Sequence, residues 1–235
     1  MLGLLVIIVV SWVLLHFIEK KGMAVLGIIP NGKRSIQFLI GFTIVILISL
    51  LTIYIESIVL KVDWEVKSNI SYKNIFNSFI YHIRSALTED LVFRGAILYI
   101  LIQRIGAKKA LVLSATVFGA YHVFSYGMTQ ANIIPILYVI LITGFTGYVW
   151  AYTFHKTKSV LMALGFHLGH NLLMTLFYES APYGELMFTE ISKTNLRDWD
   201  WLIYNLAKGI FPSIITLICV KLLMKSNLKF MQLNQ

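Results

Sequence analysis

Charge is what this chain has least of. Only 13% of its 235 residues are Asp, Glu, Lys or Arg, while 58% are apolar, against about 25% charged and 45–50% apolar in an ordinary soluble domain. With a mean hydropathy of +0.77, that composition excludes a water-soluble globular protein. Cysteine is nearly absent: the single Cys219 lies in an apolar run, so neither a disulfide framework nor a thiolate metal cluster can form. Proline is scarce too, with four in all. Two of them, Pro135 and Pro212, fall inside apolar runs, where they are tolerated as kinks. There is no internal repeat, low-complexity tract or long linker, which argues against a second domain. Acidic residues are few, 11 against 20 Lys and Arg, for a net charge of +9. The basic residues fall in short clusters between apolar runs and not as a stripe on one face, which excludes a nucleic-acid partner and matches the positive-inside pattern of membrane proteins.

What is present is hydrophobic sequence at spanning length. Apolar runs cover approximately 1–18, 37–60, 76–103, 110–126, 132–154, 159–178 and 202–224. About 20 apolar residues cross a bilayer, so the expected fold is an all-α, polytopic transmembrane bundle of about seven to eight spans. It forms one integral domain over 1–235, multi-pass in the plasma (cell) membrane. The first run lacks a basic leading segment and a small-residue cleavage site and reads as an anchor. The polar start of the third run, 69–78, leaves room for an eighth short element at the interface. Alternate loops carry eleven Lys and Arg, counting Lys225 and Lys229, against five, and the poorer set also holds seven acids. The expected orientation is therefore N-terminus outside and C-terminus inside. The loop 179–201 is the one sizeable extramembrane segment, suited to a lid or a cap at headgroup level.

The few charges inside the runs are informative because each costs roughly 2.5–3.5 kcal/mol near the middle of a spanning helix, which makes a functional site the default reading. The third run holds four: Arg84, Glu89, Asp90 and Arg94. Asp90 and Arg94 stand at i, i+4 and can neutralise each other on one helix face. Glu89 points about 100° away from Asp90 and is left without a partner in its own helix. Arg84 is nearer the outer end and can snorkel.

Of six histidines, His16, His82 and His155 stand near run ends and read as bland. His122 follows Phe118 at i+4 in an otherwise uncharged run. His167 and Asn171 share a face one turn apart. Counted from the inner boundary, Glu89, His122, Asn171 and His167 lie at depths within about 10 Å of one another, compatible with one cluster. A glutamate in an apolar site suits general-base work, since burial disfavours its charged form, and a water beside it can be activated. Imidazoles and a carboxamide can stabilise the oxyanion that forms when that water attacks a carbonyl. Alternatively, Glu89, His122 and His167 match the ligand types of a hydrolytic zinc site with an open position. Both chemistries lead to hydrolysis of an amide at or within the bilayer.

Glu89, Asp90 and Arg94 read as Glu-Asp-x-x-x-Arg, Phe118 to His122 as Phe-x-x-x-His, and His167 to Asn171 as His-x-x-x-Asn. In this order, on separate hydrophobic helices and all within 80–178, they resemble the CPBP family. These are the CAAX protease and bacteriocin-processing membrane proteins, also called ABI or type II CAAX endopeptidases. The resemblance implies a helical bundle whose polar cavity cleaves a peptide near the bilayer. It makes Glu89 the base, His122 its partner, His167 and Asn171 the oxyanion donors or metal ligands, and Arg94 the residue that orients the acidic pair. The family has been described both as metalloproteases and as metal-independent glutamate proteases, so zinc stays open here; no His-Glu-x-x-His helix argues for it. One departure is Asp90, where the family has a second glutamate.

The leading expectation is thus an intramembrane endopeptidase whose partners are the lipid bilayer and a peptide or membrane-protein substrate. The alternative is a non-enzymatic membrane scaffold or bacteriocin-immunity factor on the same fold, since fold does not fix function. A proton-coupled transporter is disfavoured, because no pair of interrupted spans occurs in corresponding halves.

Overall fold

The computed structural model describes residues 2–226; Met1 and 227–235, and with them the Lys229 counted among the inner charges, lie outside the described residues. Apolar runs with no competing partner for their backbone groups must close their hydrogen bonds internally, and here they do so as helices. In chain order the elements are α1 (Leu2–Leu14, continued by a π-helical turn Leu15–Glu19), α2 (Gly32–Val59), β1 (Asp63–Val66), α3 (Tyr72–Arg94), α4 (Ala96–Ile105), α5 (Ala107–Ser125), α6 (Ile133–Thr157), α7 (Val160–Phe177), β2 (Phe188–Ser192) and α8 (Asp198–Lys225). The protein is an all-α bundle, and five helical stretches are long and apolar enough to cross a membrane: Leu2–Glu19, Gly32–Val59, Ile133–Thr157, Val160–Phe177 and Asp198–Lys225.

Two expectations are corrected. The apolar run 76–103 is not one helix: it breaks at Gly95 into α3 and α4. A Cβ at Gly95 would collide with the carbonyl oxygen of Leu91, so only glycine lets the chain turn this tightly. The eighth helix comes from that break, not from a separate element at 69–78. The segment 179–201 is also not simply a loop. It contributes β2, which pairs antiparallel with β1, Asp63 opposite Ser192 and Val66 opposite Phe188. This ribbon ties the α2–α3 connection to the α7–α8 connection.

Local signals set the helix starts. Asn31, Ser71 and Ser159 each accept a backbone N–H of the first turn, from Arg34, Asn74 and Leu161, satisfying donors that the helix leaves open. Ser159 also donates to the Gly27 carbonyl at 3.0 Å, fixing α7 to the α1–α2 connection. The most extensive helix contacts are α2 with α7 and α5 with α6. Both rely on small residues that let backbones approach, as expected where lipid removes the hydrophobic drive for association. Gly41 of α2 lies against Met162, and Gly165 of α7 against Phe38. On α6, Gly144 faces the Ala115 carbonyl and Gly147 faces the Phe118 ring. The second pair seats Phe118 and, with it, the residue one turn beyond, His122.

Candidate functional site

The site grows from the last turns of α3. Asp90 and Arg94 are both fully buried and paired: Arg94 Nε donates to Asp90 Oδ1 at 2.7 Å, and Nη2 lies 2.5 Å from the same oxygen. A buried guanidinium needs more than one carboxylate oxygen. The Arg94 guanidinium carbon lies 4.5 Å from the Phe118 ring centroid and 5.0 Å from that of Trp150, a cation–π setting that supplies further stabilisation. Three helices, α3, α5 and α6, are thereby joined around one charge.

Asp90 Oδ1 also lies 3.3 Å from His167 Nδ1. The carboxylate accepts, so Nδ1 carries the proton and Nε2 points onward. Nε2 lies 3.9 Å from Glu89 Oε2. The two adjacent acids therefore act on one imidazole from different sides, Asp90 at Nδ1 and Glu89 toward Nε2, while the Trp150 ring covers the His167 face at 4.7 Å. Glu89 does have a partner in its own helix, contrary to expectation: Ser85 Oγ donates to its Oε1 at 3.3 Å. The spacing i, i−4 already allowed this bond, and serine is easily passed over as a neutral helix residue.

His122 is held differently. Its Nδ1 lies 2.8 Å from the Phe118 carbonyl; a carbonyl can only accept, so Nδ1 donates, and a neutral His122 presents Nε2 as an acceptor. His122, His167 and Asn171 line one cavity of about 460 Å³. Glu89 borders a separate, adjoining groove. Among the described residues no hydrogen bond or ion pair joins His122 or Asn171 to Glu89. The structure thus bonds Arg94, Asp90 and His167 into one chain, sets Glu89 3.9 Å beyond His167 Nε2, and places His122 and Asn171 in the wall of the adjoining space. Among the described residues no group of three or more His, Cys, Asp or Glu is gathered closely enough to hold a metal ion.

Sequence reasoning missed several polar residues. Ser49 of α2 lies 3.3 Å from His170 Nδ1, and the Thr146 and Ser213 hydroxyls meet at 2.7 Å; all four line the cavity that His122, His167 and Asn171 share. Lys208 of α8 also reaches it, and its Nζ donates to the buried Glu56 at 2.5 Å while Tyr178 donates to the other Glu56 oxygen. Glu56 and Lys208 were legible as charges near the ends of long apolar runs. Their pairing across α2 and α8 was not, because nothing in the sequence relates two helices about 150 residues apart.

Residues 71–173 match the family model described as Type II CAAX prenyl endopeptidase Rce1-like. That span contains all three motifs and runs from the cap of α3 through most of α7. No curated protein and no solved structure matches the chain.

Proposed function

From the Rce1-like match over residues 71–173, which supports the CPBP resemblance, we propose that this multi-pass membrane protein is an intramembrane endopeptidase that uses Glu89 to activate water. The observation that carries the reading is the bonded set Arg94–Asp90–His167 with Glu89 3.9 Å from the far nitrogen of the same imidazole, at the edge of a polar cavity in an apolar bundle. In the proposed reaction the Glu89 carboxylate takes a proton from a water as its oxygen bonds to the scissile carbonyl carbon. The C–N bond then breaks, and Glu89 returns the proton to the leaving amine. His122 Nε2, an acceptor by virtue of the Phe118 bond, orients the water. When His167 carries its second proton, Asp90 balances the charge and Nε2–H becomes a donor that joins the Asn171 amide in holding the oxyanion. Arg94 holds Asp90 in place. The polypeptide lies in the plasma membrane with its N-terminus outside.

The test is peptide cleavage by protein reconstituted in nanodiscs. Glu89→Gln is expected to lower the rate at least about 100-fold, as for removal of a general base, with His167→Ala comparably impaired. Unchanged cleavage by Glu89→Gln sinks the mechanism. Chelation that abolishes activity, with recovery on adding zinc, contradicts the metal-independent form.

A further inference from the structure

A peptide bond open to attack lies in extended backbone, and each N–H or C=O that leaves a helix without a new partner costs several kcal/mol away from water. The cavity shared by His122, His167 and Asn171 must therefore supply partners to a substrate's main chain. Most of its hydroxyls have already spent their protons. Those of Thr52, Thr143, Thr146 and Thr216 each donate to a carbonyl of their own helix, which leaves Ser213 to donate to Thr146. Unspent nitrogens remain on His122, His167 and Asn171, all with roles in the proposed reaction, and on His170, which has none.

His170 is held from outside the family-matched segment. Its Nδ1 lies 3.3 Å from Ser49 Oγ of α2, and the neighbouring Gly169 lets α2 come this near: a Cβ there would stand 2.6 Å from a Val45 methyl. Thr52 and Ser57 of α2 donate to the carbonyl four residues back, whereas the Ser49 hydroxyl, among the described residues, meets only His170. Ser49 therefore donates to Nδ1, and a neutral ring then carries its own proton on Nε2. That nitrogen has no partner among the described residues and is not sealed in the packing, so it opens on the cavity that the ring lines. His170 follows His167 by three residues, about 4.5 Å along α7, the span of one to two residues of extended peptide.

We propose that His170 is a substrate-binding residue whose Nε2–H donates to a backbone carbonyl of the peptide, one or two residues from the bond attacked at Glu89, and that Ser49 is the positioning residue that keeps the ring in the tautomer able to donate. The proposal rests on the endopeptidase reading and adds how the substrate is gripped: as extended main chain, through a carbonyl, whatever side chain stands at that position.

Binding is measured on Glu89→Gln protein in phosphatidylcholine nanodiscs with a fluorescent decapeptide of Leu and Ala, corrected for protein-free discs. Adding His170→Phe is expected to weaken binding about three- to tenfold, the range of one neutral hydrogen bond. His170→Gln, which keeps a donor, recovers part of the loss, and Ser49→Ala loses less than His170→Phe. With Glu89 intact, His170→Phe raises KM more than it lowers kcat, as for a contact made equally in the ground and transition states. Nitrogen NMR of histidine-labelled protein, with the His170 signals identified by their loss in His170→Gln, shows the proton on Nε2, and Ser49→Ala releases the Nδ1–H form as well. Equal or undetectable binding with and without His170→Phe, a His170→Gln loss as deep as that of His170→Phe, a fall in kcat at unchanged KM, or an Nδ1–H ring before Ser49 is changed overturns the proposal. Binding through His170 in a protein that Glu89→Gln matches in every cleavage assay leaves the grip standing and the hydrolytic reading fallen; cleavage with binding indifferent to His170 does the reverse.

Discussion

At the scale of single residues, the account turns on how one carboxylate serves two partners. Asp90 meets Arg94 and His167 through the same oxygen, all three buried. Removing one partner of a buried pair leaves an uncompensated charge, at a cost of about 3–5 kcal/mol. Asp90→Asn is therefore expected to destabilise the folded protein by about that much, read as a lowered midpoint in denaturant, and Arg94→Met in the same background restores most of the loss. A single variant with wild-type stability would mean that the Phe118 and Trp150 rings alone suffice for Arg94. The i, i+4 spacing made the Asp90–Arg94 pair legible in the sequence, because it is a property of one helix. The link to His167 was not, since it depends on α3 packing on α7. The bond from Ser85 to Glu89 leaves no mark in the charge pattern, since serine is neutral.

At the scale of elements, glycines decide what the site can be. Gly147 has no side chain because Phe118 occupies the space: a Cβ there would stand 2.6 Å from the ring. Gly147→Ala is expected to push Phe118 off Arg94, lowering stability by about 1–3 kcal/mol and reducing any cleavage with it, since His122 leans on the Phe118 carbonyl. Thermal unfolding and turnover measured on one preparation check both; a loss of stability with full activity would separate Phe118 from the chemistry. The break at Gly95 could not be read from composition, as a lone glycine in an apolar run is compatible with an unbroken helix. The β1–β2 ribbon was equally hidden. Its strands are four and five residues long, more than 100 residues apart, and lack a sustained alternating pattern.

At the scale of the whole molecule, the scarce charges divide by task. Most flank helices, a clasp of Glu56, Lys208 and Tyr178 joins α2 and α8 beyond the family-matched segment, and Glu89, Asp90 and Arg94 of α3 gather at the site. The bundle class was legible because 58% apolar sequence leaves few alternatives to membrane helices. The excess of Lys and Arg in alternate loops predicts that a fluorescent protein fused to the C-terminus lights up inside the cell, while a cysteine placed near residue 3 is labelled by an impermeant reagent from outside; the reverse pattern would invert the bundle. The central claim is that Glu89 makes this bundle a protease. The most direct measurement compares the new N- and C-termini in membranes of cells carrying the wild-type protein with those carrying Glu89→Gln at equal abundance. The account predicts at least one pair of termini present only with wild type, at an apolar segment. Identical terminal profiles, with the variant still supporting the host, would contradict it and leave a binding scaffold in its place.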